Sequence, residues 1–301
     1  MNKLKKHFAF TMVEMIFVIV VLGIVAAIGS GIIAKIYESY IYSNNINTLQ
    51  AKTELALMKI SKYLSFRIKN SVIARKLSPN DNNISSLSTA DGTYKILEWI
   101  GYDNEGFEGN TTGPGWSGFI DLSSSQTNKT QIKTSGSHLT YATNVINALS
   151  NKEANLSDVN SSVAIIFKGL PNQFDIKQYG WNDWSGTKNH NYIFRVQKIA
   201  PDILKFIENN ASTIYEQYQL VWSAYAIVPE GNASDRNLTL YYNYRPWMAQ
   251  KYSDGNKSVL LEHVSTFKFK QIGNTIRLKL CIFNPIINDE NISFCKEKVV
   301  F

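Results

Sequence analysis

Hydrophobic and polar positions divide the chain into a short apolar part and a long polar one. Met15 to Ala34 is a run of twenty residues without a charge, long enough as a helix to span a hydrocarbon core about 30 Å thick. Beyond it Leu49, Thr53, Leu57, Ile60, Leu64, Ile68 and Val72 recur at three- and four-residue steps, with Lys59, Lys62, Lys69 and Lys76 on another face. That spacing predicts an amphipathic continuation of the same helix to about Leu77, where Ser78-Pro79 stops it.

From Asn80 to about Ser162 the chain is rich in Asn, Ser, Thr and Gly, interrupted by Tyr94–Tyr102 and Trp116–Leu122. This composition predicts an insertion of loops and short strands. Strand-like runs follow at Val163–Lys168, Tyr192–Ile199, Gln217–Val228 and Leu238–Tyr244. Val264–Ile272 and Thr275–Phe283 flank Gly273-Asn274, a two-residue hairpin signal, and Ile292–Val300 supplies a third strand. The expected organisation is a basic leader over residues 1–9, a transmembrane helix over 10–36 and its amphipathic continuation over 37–78. A loop-rich insertion over 79–162 and an antiparallel β head over 163–301 complete an α+β fold.

Composition sharpens this picture in two places. The formal charge of +7 would suit a nucleic-acid partner, but Lys3, Lys5 and Lys6 lie before the apolar run, where they hold the N-terminus in the cytoplasm and send the head across the membrane. The lysine face of the helix reads as solvated, so no nucleic acid is expected. Cys281 and Cys295 are the only cysteines. Their even number and their places in adjacent predicted strands suit one disulfide in an oxidising compartment, with two buried thiols as the alternative. The loop closed would be about 15 residues, worth about 3 kcal/mol.

Glu14 is the informative residue of the anchor. An unpaired carboxylate in an apolar transmembrane helix costs about 2.5–3.5 kcal/mol, so a partner is required. No small-residue cleavage site follows the run, whereas Ala9 precedes it. The segment Ala9-Phe10-Thr11-Met12-Val13-Glu14 resembles the prepilin peptidase motif. That resemblance implies cleavage between Ala9 and Phe10 on the cytoplasmic face, N-methylation of Phe10, and a pilin-like fold whose long helix packs on a sheet. Glu14 would then pair with the amine of a neighbouring subunit as a filament grows. Ala9 stands where the family usually has Gly, and Gly31 where major pilins often carry Pro.

The head is similar to that of J-type minor pseudopilins of type II secretion systems. The strand Leu260-Leu261-Glu262-His263-Val264-Ser265-Thr266-Phe267-Lys268-Phe269 before the closing hairpin carries the likeness, after a tryptophan-containing strand over Gln217–Val228. The K-type subunit typically lacks the anchor glutamate, which Glu14 argues against. The implied partners are other pseudopilins or pilins, a prepilin peptidase and an inner-membrane assembly platform. A minor pilin of a DNA-uptake or adhesion filament is the second reading, and a membrane-anchored periplasmic hydrolase with a signal-like start is the third.

Asn-x-Ser/Thr sequons occur at Asn83, Asn110, Asn128, Asn155, Asn160, Asn210, Asn232, Asn237, Asn256 and Asn291. All but Asn128 have Asp or Glu two residues earlier, although acids make up only 24 of 301 residues. The extended sequon resembles the acceptor sequence of bacterial N-oligosaccharyltransferases, such as those of campylobacter-like bacteria, and implies glycosylation of a periplasmic head.

Signals for other chemistry are weak. His7, His138, His190 and His263 have no metal spacing, neither cysteine has a second close by, and no GxSxG, P-loop or GxGxxG occurs. No cofactor, metal or enzymatic activity is expected. Asp103, Glu105 and Glu108 crowd one stretch as a solvated acidic loop does, without EF-hand spacing. Tyr179, Trp181 and Trp184 have the composition of a sugar platform, but packing is the commoner role of such aromatics.

Overall fold

A computed structural model describes residues 11–77, 83–110, 113–170, 175–181, 191–207, 211–232, 235–284 and 293–301. The chain forms two units, divided between Ala51 and Lys52. In the first, helix α1 (Met12–Ser65) runs from Met12 without interruption, its apolar side chains exposed along the length that can cross a membrane. Thr11 caps it: the Thr11 hydroxyl accepts the Glu14 backbone N–H at 3.4 Å, the spacing of a Thr-x-x-Glu start.

In the second unit the remainder of α1 packs on an antiparallel sheet, burying Ala56, Leu57, Ile60 and Leu64 at helical spacing. The helix ends at Ser65, about twelve residues before the expected stop at Leu77. Arg67 sits at the turn, its Nη1 donating to the Leu64 carbonyl at 2.7 Å, one of the acceptors a helix end leaves open. Strand pairing then takes over: Ile68 donates to Ile100 O at 2.8 Å and Tyr102 to Phe66 O at 2.9 Å. Ile68 and Val72 stay buried, as the periodicity requires, but in extended backbone.

Strands β1 (Ile73–Lys76), β2 (Ile84–Ser86) and β3 (Tyr94–Tyr102) follow, then the short helix α2 (Asn104–Glu108), β4 (Gln131–Lys133) and α3 (Leu139–Leu149). The span 79–162, expected as loops and short strands, supplies a strand over the singled-out Tyr94–Tyr102 and, beyond the expectation, an eleven-residue helix. Then come β5 (Ala164–Phe167), β6 (Phe194–Ala200), β7 (Ile203–Phe206), β8 (Tyr218–Gly231) and β9 (Arg236–Tyr244). The chain closes with β10 (Asn256–Ile272), β11 (Thr275–Phe283) and β12 (Ser293–Val300). Trp116–Leu122 contributes only a bridge between Phe119 and Gln217.

Among the described residues the order is β12-β11-β10-β9-β8-β5-β6-β7-β4, with β1 to β3 branching from β8. The fourteen-residue β8 makes the branch possible: Tyr218–Val221 pairs with β5 and Val221–Ile227 with β3. The long β10 divides in the same way, pairing with β9 from Asn256 to Val264 and with β11 from Val264 to Ile272. Register shifts fall at Val259/Leu261, Leu261/Val264 and Val264/Thr266, and His263 adopts φ 57°. Each bulge adds one residue to the two-residue strand period, which is why Leu261, Val264 and Phe267 are all buried at three-residue steps. The Gly273-Asn274 turn joins β10 to β11 as predicted, with Gly273 at φ 57° where a side chain would be strained.

Candidate functional site

The N-terminal helix carries Glu14. From Met12 to Ala34 Glu14 is the only charged residue. It is exposed in the first turn, and among the described residues its carboxylate has no partner. The first turn favours a carboxylate, because the backbone N–H groups there are unpaired and the dipole is positive. Ala9 and Phe10 lie outside the described residues. A family model, the prokaryotic N-terminal methylation motif, matches residues 4–30. The N-terminus is of the prepilin type. A prepilin-type motif implies processing by a prepilin peptidase and assembly with other pilins in a membrane complex. Among the described residues one helix, near the N-terminus, is long and apolar enough to cross a membrane, which with the motif is consistent with a membrane-anchored, single-pass protein with a pilin-like N-terminus. No curated protein and no solved structure matches the chain.

The second unit is fastened between residues far apart in sequence. Lys296 of β12 reaches Glu54 of α1 at 2.8 Å. Arg67 donates to Phe301 O at 3.1 Å and to Asn274 O at 3.2 Å, joining the helix end to the residue that follows β12 and to the β10–β11 turn. Cys281 and Cys295 stand directly opposite on β11 and β12 and form the disulfide, with Cα atoms 4.1 Å apart. By register they lie on the sheet face away from α1, together with Arg277, Lys279 and Glu297.

That outer face is cationic. Lys268 and Lys270 of β10 stand opposite Lys279 and Arg277 of β11. With Tyr94 and Lys95 they border a cleft of about 360 Å³. Glu297 binds Arg277 at 2.5 Å and Lys279 at 3.5 Å, while Lys268 and Lys270 have no carboxylate partner among the described residues. Each lysine and arginine was visible in the sequence, but only the hairpin register brings them together. The helix lysines do not join them: Lys59, Lys62 and Lys69 are exposed on their own, and Lys76 lies over the Tyr94 ring at 5.0 Å.

The acids expected in one solvated loop have separate fates. Asp103 is buried and caps α2, its Oδ1 accepting from Gly106 N and Trp222 Nε1, each at 3.3 Å. Oδ2 is buried without a hydrogen bond among the described residues, and a Cβ on residue 106 would stand 1.9 Å from it, so any side chain there would displace the carboxylate. Burial raises the Asp103 carboxyl to about 7. Glu105 and Glu108 sit on α2 at the surface, and no cluster of three metal-binding side chains occurs among the described residues. A second buried acid, Glu98, pairs with Arg75 at 2.5 Å, beyond anything the sequence pattern signals. Tyr179 and Trp181 are buried in the core, where Trp181 donates to Ser71 O at 3.0 Å, so they form no sugar platform; Trp184 lies outside the described residues.

Of the sequon asparagines, Asn83, Asn110, Asn128, Asn160, Asn232, Asn237 and Asn256 are exposed and Asn155 is half-buried. Asn210 and Asn291 lie outside the described residues.

Proposed function

We propose that the chain is a minor pseudopilin of a type II secretion assembly, of the J type. A prepilin peptidase removes residues 1–9, cutting after Ala9 and methylating the new Phe10 amine. The anchor is then drawn from the inner membrane, N-terminus cytoplasmic and head periplasmic, into the tip of the filament. Glu14 supports this reading most directly. It is the one charge in the apolar stretch of a prepilin-type helix, and transferring it unpaired into an apolar filament core would cost about 2.5–3.5 kcal/mol. Pairing with a neighbour's amine removes that cost and fixes the axial step between subunits.

Glu14→Leu tests the proposal. The variant should still lose its leader, read as a mass decrease, but fail to co-purify with filament subunits, and secretion should collapse. A membrane-anchored hydrolase would keep its function, and normal assembly by Glu14→Leu refutes the reading. The cationic cleft of the β10–β11 hairpin favours one second reading, a minor pilin of a DNA-uptake or adhesion filament. Deletion would then abolish transformation or adhesion while secretion continues.

A further inference from the structure

Among the described residues the acids before the sequons have no shared structural task; Asp81, Glu208 and Asp289 lie outside them. Acids form 24 of 301 residues, so about one of the ten sequons should carry one at any given offset, and nine do so two positions before the asparagine. One position before there is only Glu290, and three before or one after there is none. Local turn chemistry would explain the offset if each acid accepted the backbone N–H of its sequon asparagine, the common Asx turn. Among the described residues one acid does: Asp158 accepts from Asn160 N at 2.8 Å.

The other five described acids are put to unrelated uses. Glu108 accepts from the Asn104 side chain at 2.8 Å, and Glu153 from Asn243 Nδ2 at 2.9 Å. Glu230 accepts from the Thr239 and Tyr241 hydroxyls, Asp235 faces His263 at 3.2 Å, and Asp254 accepts from Lys251 N at 2.8 Å. A regular offset without a common role among the described residues points to something outside the fold that reads acid and sequon together.

We infer that the head is an acceptor of asparagine-linked glycans, transferred by an enzyme that recognises the acid two residues before the asparagine. The co-substrate is a glycosyl diphosphate. Asparagine Nδ2 attacks the anomeric carbon, a C–N bond forms, the C–O bond to phosphate breaks, and the diphosphate leaves with the bonding pair while Nδ2 gives up one proton. The exposed asparagines meet the surface requirement of such a modification. The Asn237 sequon adds an order of events. Its Thr239 is fully buried, with the hydroxyl on Glu230 at 2.8 Å, so transfer there precedes closure of the β8–β9 hairpin. The inference rests on the reading that puts the head outside the cytoplasm, where the leader lysines and apolar run send it.

The test is intact-mass and glycopeptide analysis of full-length protein, purified in detergent from cells that make it naturally. The mass should exceed that of the processed, disulfide-bonded chain by whole multiples of one glycan. Asn83→Gln and Asn160→Gln should each remove one increment, as should Asp254→Ala through Asn256, and Asn128 should be bare. An unmodified mass overturns the inference, as does an occupied Asn256 in Asp254→Ala or an Asn128 occupied like the rest. Protease added to spheroplasts separates the two readings. Digestion of the head together with an unmodified mass sinks glycosylation alone, and a protected head sinks both.

Discussion

Asp103 makes the second unit less stable as pH rises, against the trend its surface carboxylates set. In the unfolded chain the carboxyl titrates near 3.8, and in the fold burial holds it at about 7. The sign follows from linkage. Below about pH 4 the group is neutral in both states and costs nothing. Between about 4 and 7 the unfolded chain has released the proton and the folded one has not, so stability falls through that window and levels off above it. A shift of three units corresponds to at most on the order of 4 kcal/mol at about 1.4 kcal/mol per unit. Asp91 and Asp121 act in reverse, their hydrogen bonds to Thr93 and Ser123 depressing the carboxyl and adding stability as pH rises through the acid range. The comparison therefore needs Asp103→Asn, which cannot ionise. Urea unfolding of the detergent-solubilised chain, followed by tryptophan fluorescence at pH 4.5 and 8, should show wild type losing several kcal/mol relative to Asp103→Asn at the higher pH. A difference between the two proteins that is independent of pH would refute the reasoning.

Three further outcomes are open to measurement. Glu98→Gln leaves Arg75 charged and buried, so it should cost about 3–5 kcal/mol in urea unfolding, and Arg75→Met/Glu98→Leu should recover much of that loss. Reduction of Cys281–Cys295, or Cys281→Ser/Cys295→Ser, should lower stability by about 3 kcal/mol while leaving the far-ultraviolet spectrum of the sheet in place. Ile60→Ala empties a fully buried position under the sheet and should cost about 2–5 kcal/mol, whereas Lys59→Ala beside it should change stability by less than about 0.5 kcal/mol.

Periodic elements were the legible ones. The apolar run, the Gly273-Asn274 hairpin and the strands over Tyr94–Tyr102 and Leu238–Tyr244 are set by local rules, and the structure keeps them nearly residue for residue. The line from Leu57 to Val72 also names the buried positions correctly, but the pattern cannot tell where burial passes from helix to strand. That change is imposed by Ile100 and Tyr102, which capture the backbone after Ser65. Helix α3 escaped because Leu139–Leu149 lies in a stretch whose Asn and Thr content reads as loop, and packing of Leu139, Ala142 and Ile146 overrides it. At the candidate sites, Glu14 could be read from one residue in an apolar context. The cationic cleft, the Arg75–Glu98 pair and the burial of Asp103 depend on pairing register between distant strands, for which a single sequence carries no signal.

Lys296 on Glu54 and Phe301 on Arg67 join residues more than 230 positions apart. Contacts of that separation form late, since the intervening chain must first be confined. The ion pair that ties α1 to β12 through Glu54 therefore waits until β11 and β12 have arrived and paired. If the head is glycosylated as inferred, that late closure would set the time in which a transferring enzyme meets an unfinished fold.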